Sequence, residues 1–149
     1  MKAPELEEIF ELTATLNPHY MEGGRLMAMI NGGDVTGKIK GKVLPVGGEF
    51  GIFISADTYK IDVRAAIQAE DGSIIYLSYG GFMHADPAKL KMLFSHDGKD
   101  LDPSEYYWRT NPIFETAAPA YSWLNHTVFI GSGGYTHEGK VIYRIYAVK

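Results

Sequence analysis

The stretch TYKIDVRAAIQAEDGSIIYLSYGGFM, residues 58–83, decides the fold. Tyr59, Ile61, Val63, Ala65 and Ile67 share one face, and Lys60, Asp62, Arg64 and Gln68 share the other. Alternation of this kind marks a half-buried strand, because successive side chains of a strand point to opposite faces. Asp71-Gly72 supplies a two-residue turn of type I′ chemistry, since glycine tolerates positive φ. Residues 73–83 then return as the partner strand. The spacing therefore predicts a β-hairpin.

Similar patterns extend outward from it. Residues 8–16 read as a strand ending at Asn17-Pro18, and residues 25–31 as a second ending at Gly32-Gly33-Asp34. Residues 37–44 form a third, stopped by Pro45, and residues 50–55 a short apolar fourth. Residues 85–94 are the one helical candidate, with Pro87 in the first turn and Leu90, Leu93 and Phe94 at helical spacing. Residues 95–104 are polar and loop-like. Residues 106–110 and 113–116 read as separate extended pieces around Pro112, and 121–124 as a single helical turn. Residues 125–131 and 140–149 make a closing strand pair joined by the loop that holds Gly133-Gly134. Around nine short strands and one helix predict a mainly β chain: a closed or nearly closed antiparallel β-barrel of about 8–10 strands with one short helix. The length of 149 residues fits a single domain spanning 1–149. A barrel of about eight strands has room inside for one small ligand.

Composition excludes several functions. Lys and Arg number 14 and Asp and Glu 18, a formal charge of −4, which argues against a nucleic-acid binder that tracks phosphates. Cysteine is absent, so disulfides, thiolate nucleophiles and thiolate-bound zinc are excluded. The five histidines show neither H-x-x-x-H nor H-x-H spacing, so no metal is expected. No apolar run is long enough to span a bilayer. The N-terminal MKAPELEEIFEL has no apolar core of a signal peptide, giving the expectation of a cytoplasmic protein.

Most motifs dissolve on inspection. Gly32 to Lys38 matches the start of a phosphate-binding loop, but Ile39 stands where Ser or Thr should hold Mg²⁺, and the following residues alternate as a strand. A hairpin turn is the better reading. Gly131-Ser132-Gly133 precedes no helix and reads as turn glycine. Lys38, Lys40 and Lys42 share a face that is expected to be solvated or to protect a sheet edge. In the run 97–102 the acids fall at the wrong offsets for a calcium loop. Asn125-His126-Thr127 is a formal glycosylation sequon with no secretion signal to give it meaning. No motif for an organic cofactor is present, and none is expected.

Two regions concentrate groups with chemistry. Residues 106–116 and 121–125 bring aromatics together with Arg109, Glu115 and Asn125. Apolar walls with a few fixed polar groups suit a small-molecule pocket. There Arg109 would clamp an oxygen anion, and Glu115, if desolvated, would act as acid or base. The plainer reading is an Arg109–Glu115 ion pair that braces the segment. Asp62 and Arg64 form the second candidate pair. The apolar face of Tyr59, Ile61 and Val63 points to the core, which turns Asp62 and Arg64 to the surface, although a ligand-holding barrel can reverse that sense.

Several blocks together resemble the UPF0311 family, also called the DUF3237 domain, over nearly the full length. They are Gly32-Gly33 with Gly37, Gly41, Pro45 and Gly47-Gly48, then Asp62-Val63-Arg64, Asp71 to Tyr76, Gly81 to His84, Asp102 to Thr110, and Pro112 to Thr116 with Tyr121 to Asn125. The resemblance implies a small β-barrel of unassigned activity. It carries over Asp62, Arg64, Tyr76, Tyr107, Arg109, Phe114, Glu115, Tyr121, Trp123 and Asn125 as pattern positions without assigning them roles. It also favours an inward-facing Asp62. Glu49-Phe50 departs from the Asp-Trp often found after the double glycine, and Gly134-Tyr135 stands where an Arg often follows. A site using those groups is therefore not carried over.

The expectation is a barrel that binds a small apolar or aromatic ligand bearing an anionic or carbonyl oxygen. Its pocket would lie at one mouth, with Asp62, Arg64, Tyr76, Tyr107, Arg109, Trp123 and Asn125 as ligand-binding candidates. A second expectation is an acid–base enzyme (isomerase, cyclase or lactone-type hydrolase) using Asp62 or Glu115, with Tyr107 as donor. A third is an interaction module that pairs with itself as a homodimer.

Overall fold

The computed structural model describes residues 2–17, 20–95 and 98–149. Eleven strand segments build eight antiparallel staves. The first stave is β1 (Leu6–Leu16) with β2 (Tyr20–Glu22), and the second is β3 (Arg25–Gly37). The third is broken into β4 (Gly41–Val43), β5 (Gly48–Glu49) and β6 (Ile52–Ser55). β7 (Thr58–Ala69), β8 (Ile74–His84), β9 (Tyr107–Glu115), β10 (Phe129–Tyr135) and β11 (Val141–Val148) follow. Each stave pairs with the next in sequence, and β11 returns to β1, so the barrel closes. Closure gives each stave a hydrogen-bonded neighbour on both sides over at least part of its length. The fold class read from the sequence is the one observed.

The hairpin of residues 58–83 is present with β7 and β8 in register from Thr58–His84 to Gln68–Ile74. Its turn differs from the expectation. Gly72 has φ 87°, no non-glycine residue among those described has positive φ, and the Gly72 N–H donates to the Ala69 carbonyl. A type I′ turn needs positive φ at both central residues, so this is a three-residue loop with glycine in the left-handed position.

Glycine has other uses elsewhere in the barrel. Gly32-Gly33 was expected to end a strand, yet β3 runs through to Gly37. A Cβ on Gly33 would lie 1.8 Å from the Thr13 carbonyl oxygen. Glycine there marks close approach of β1 and β3, with a register shift between Thr15 and Leu16. The third strand shortens to β4, because residues 38–40 form the connection. Gly133-Gly134 lies inside β10 and not in a loop. A Cβ on Gly133 would lie 2.5 Å from the Trp108 indole nitrogen, so glycine makes room for that ring. The two pieces around Pro112 are one strand, β9. The β9–β10 ladder ends at Thr110, which leaves Pro112 a single neighbouring strand and relieves the need for its missing N–H.

The two barrel ends close differently. At one end the 3-10 segment Pro119–His126 buries Leu124, and Phe114 stacks edge-on with Phe10 at 5.8 Å and Phe129 at 4.9 Å. Asn125, expected in a strand, belongs to this segment because its amide exchanges two 2.9 Å hydrogen bonds with the Thr116 backbone. At the other end helix α1 (Pro87–Leu93) buries Leu90 and Leu93. Asp86 caps its first turn by accepting from the Ala88 N–H. Phe94 follows and packs on Phe53 and Tyr59 with centroids 4.8 and 4.7 Å away. The Tyr135 hydroxyl donates to the Leu93 carbonyl at 2.6 Å and ties the helix to the rim.

The remaining motifs take structural roles. Lys38 pairs with Glu7 and Lys42 with Asp34, all exposed. Lys40 is exposed as well. Asp102 and Glu105 form a capping box over the 3-10 turn Pro103–Glu105. His19, His96 and Asp97 lie outside the described residues. Among the described residues no helix is long and apolar enough to cross a membrane.

Candidate functional site

Between the aromatic floor and α1 the barrel holds a cavity of about 110 Å³. Its walls are mainly the inward residues of β1, β3, β7 and β8, including Leu12, Ala28, Val63 and Leu77. Aromatic groups complete it, with Tyr59, Tyr79, Trp108, Tyr135 and Tyr143 reaching in from the strands and Phe94 covering it. A purely apolar engineered cavity of about 150 Å³ accepts benzene, so this space suits one small ring.

One carboxylic acid lines it, that of Glu49. The two-residue strand β5 sits between β3 and β7, with Glu49 opposite Ala28 on one side and Val63 on the other. Directly opposed residues share a face, so Glu49 points where these apolar side chains point. The local sequence enforces this. Gly47 has φ 80°, and a Cβ there would lie 2.0 Å from the Arg64 carbonyl oxygen, so only glycine lets the broken stave seat against β7.

Glu49 is 9% exposed. Its Oε1 accepts from the Tyr59 hydroxyl at 2.9 Å and from the Asp62 N–H at 3.1 Å. The Gly51 N–H adds to this support. Burial nonetheless dominates, and it pushes the carboxyl from its ordinary 4.5 up to about 7, because loss of water penalises the charged form more than these donors restore it. The Tyr59 hydroxyl is raised well above its usual range by burial and by the Glu49 charge. Tyr79, Tyr135 and Tyr143 are raised too, chiefly by burial, and the Glu49 charge contributes at all three. The Trp108 indole N–H donates to the Tyr143 hydroxyl at 2.9 Å, and Tyr143 in turn hydrogen-bonds Tyr79. The cavity thus joins apolar walls, one acid that titrates near neutrality and a chain of buried hydroxyls.

The candidates read from the sequence lie elsewhere. Tyr59, Ile61 and Val63 are buried inward on β7, which turns Asp62 and Arg64 outward, where they pair with one another. Asp62 meets the cavity only through its backbone N–H. Arg64, Tyr76 and Glu115 do come together, but in a shallow groove on the outer face of β7, β8 and β9. Arg109 stands over the Tyr107 ring at 5.4 Å and donates to the Trp108 carbonyl at 2.9 Å, on the outer face of β9. Glu115 is six residues along the same strand, roughly 20 Å away, so the expected Arg109–Glu115 brace does not form. Trp123 packs on Phe129 at 6.0 Å and belongs with Asn125 to the closed end. The aromatic segment therefore forms part of the floor and outer wall, and of it only Trp108 lines the cavity.

Glu49 is not among the candidates read from the sequence, because it departs from the aspartate of the family pattern. A carboxyl group is retained there all the same, one methylene longer. The signal was a lone acid in VGGEFGIFI, residues 46–54, an otherwise glycine and apolar stretch. Charged residues are almost never buried in such surroundings without a reason.

The chain is thus a closed antiparallel β-barrel in which, among the described residues, Glu49 is the one acid lining the cavity. Residues 4–148 match the model described as "Protein of unknown function (DUF3237)", and the chain belongs to that family. A UPF0311 protein of Rhodopseudomonas palustris strain TIE-1 is 32% identical, covering 97% of this chain and 96% of its own length. Another from Clostridium acetobutylicum is 31% identical over 87% of this chain and 85% of its own. Among solved structures, a conserved protein of unknown function from R. palustris superposes with a TM-score of 0.90 at 31% identity, covering 100% of this chain and 99% of its own. A β-barrel-like protein from Acinetobacter baumannii gives 0.83 at 36% identity, with 100% and 98% covered. An enzyme from Penicillium herquei shares the fold at a TM-score of 0.66 and 20% identity, over 97% of this chain and 96% of its own.

Proposed function

We propose that this protein binds a small, mainly apolar molecule in the barrel interior, with a neutral carbonyl or hydroxyl oxygen that hydrogen-bonds Glu49 or the buried tyrosines. The observation that carries this reading is an apolar cavity of about 110 Å³ whose wall holds one carboxylic acid. A neutral oxygen fits better than an anion. Arg64 and Arg109 stand on the outer face, and a ligand anion would meet the Glu49 carboxylate with no cation lining the cavity. Most of the binding free energy would come from removing the ring from water, at about 25 cal/mol per Å² of apolar surface.

Cyclohexanone, titrated into ¹⁵N-labelled protein and followed by NMR, tests this. Amide shifts are expected to concentrate at Val63, Tyr79 and Tyr143. Ala28→Phe, which places a ring directly beside Glu49, is expected to abolish them while the far-UV circular dichroism stays native. Shifts confined to the outer groove of Arg64, Tyr76 and Glu115 would reject the interior site in favour of the groove.

A further inference from the structure

We propose that Glu49 is a catalytic proton carrier, and that the substrates are enolisable ketones whose oxygen is held by the Tyr79 hydroxyl. The proposal rests on the interior-cavity reading above and deepens it. A binding pocket alone needs no ionisable group, and a buried carboxyl costs stability that the hydrogen bonds to Glu49 only partly restore. Here Oε1 of the carboxyl is anchored by the Tyr59 hydroxyl at 2.9 Å and the Asp62 N–H at 3.1 Å, and the group lines the cavity. A fixed, desolvated acid that titrates close to working pH is the combination general acid–base catalysis requires.

The second half of the machinery is the hydroxyl chain. Trp108 donates to Tyr143. Tyr143 and the partly buried Tyr79 hydrogen-bond one another, with ring centroids 5.2 Å apart, and both line the cavity. Each hydroxyl has one proton, and with Trp108 donating to Tyr143 the pair uses one between its two oxygens and keeps the other for an oxygen in the cavity. Donors already oriented in a water-poor site stabilise developing negative charge without reorganising. An apolar pocket with a carboxyl base and a tyrosine that binds the oxygen is a known pattern for shifting a double bond next to a ketone.

The step balances without an oxidant or co-reactant. Ionised Glu49 takes a proton from the carbon between the carbonyl and the double bond of a β,γ-unsaturated ketone. That C–H pair becomes a new C=C bond, and the carbonyl π pair moves to the oxygen held by Tyr79. The oxygen pair then returns, the double bonds shift, and Glu49 gives its proton to the γ carbon. The product is the conjugated isomer, with no atom gained or lost. The titratable groups facing Glu49 are Tyr59 from β7, Tyr79 from β8, Tyr135 from β10 and Tyr143 from β11, all raised above their ordinary range. The Asp62 charge opposes ionisation of Glu49 from the outer side of β7. Glu49 is therefore the group expected to set the pH profile near neutrality.

The test uses 3-cyclohexen-1-one, whose conversion to 2-cyclohexen-1-one is followed by the ultraviolet absorbance of the conjugated product. Wild type is expected to exceed the buffer rate, with kcat/KM rising with pH and levelling above about 7. Glu49→Gln can still accept from Tyr59 and Asp62, and is expected to lose at least about 100-fold in kcat/KM while cyclohexanone still binds. Glu49→Asp keeps the acid and is expected to retain measurable turnover, which guards against a fold defect in the glutamine variant. Tyr79→Phe is expected to lower kcat/KM about 10-fold and to weaken cyclohexanone binding, since it removes the donor to the ketone oxygen. Enone binding without turnover in wild type, or a glutamine variant as fast as wild type, overturns this proposal and leaves the binding reading intact. Absence of both binding and turnover overturns both.

Discussion

Glu49→Gln is expected to gain about 3 kcal/mol in stability relative to wild type between pH 4 and pH 8. In the unfolded chain the carboxyl titrates at its ordinary 4.5, and in the folded protein at about 7. Between those values the unfolded state has released a proton that the native state retains. Stability falls with rising pH wherever the native state binds more protons. At about 1.4 kcal/mol per tenfold change in proton activity, the span from 4.5 to about 7 amounts to about 3 kcal/mol. The wild-type contribution is fully present below pH 4.5 and is lost by about pH 7. Glutamine does not titrate, so the difference between the two proteins isolates Glu49 from every other group. Urea denaturation of both proteins at several pH values measures it. A difference that stays flat from pH 4 to pH 8 would mean that Glu49 titrates at its ordinary 4.5 in the folded protein as well.

Phe114→Ala is expected to cost about 3–5 kcal/mol, the usual range for removing a buried ring that leaves a cavity. Phe114 is 2% exposed and holds Phe10 and Phe129 together at the floor. Two residues of the same aromatic segment that lie on opposite faces should behave differently. Tyr107 is half exposed and makes one ring contact with Arg109, so Tyr107→Ala is expected to cost less than about 1 kcal/mol. Denaturant midpoints with unchanged slopes would report both losses. Equal losses would contradict the inward and outward assignment of β9, and with it the placing of Arg109 outside the cavity.

Much of the fold was legible because one physical rule governs it. The alternation along residues 58–83 records which side chains meet water, and the structure keeps that sense at every position from Tyr59 to Val63. Helix α1 was legible from Pro87 and its leucine spacing. Glycine and proline were harder, because each has two uses. Gly33 and Gly133 answer a close approach from a strand or ring distant in sequence, which no local window contains. Pro112 is tolerated in β9 because the neighbouring ladder stops at Thr110, a property of the closed barrel and not of the segment. The site was less legible for the same reason. Residues 106–125 are dense in functional groups, but a strand sends half its side chains outside whatever their chemistry. Glu49 stands alone on a two-residue strand, and its meaning comes from Ala28 and Val63 across the sheet.

The most direct test is a carbon-13 NMR titration of the Glu49 side-chain carboxyl, with and without cyclohexanone. A midpoint of about 7 is expected in the free protein, moved upward when the ketone fills the cavity and removes the remaining water. A midpoint near the ordinary 4.5, unmoved by the ketone, would contradict an interior site built on Glu49.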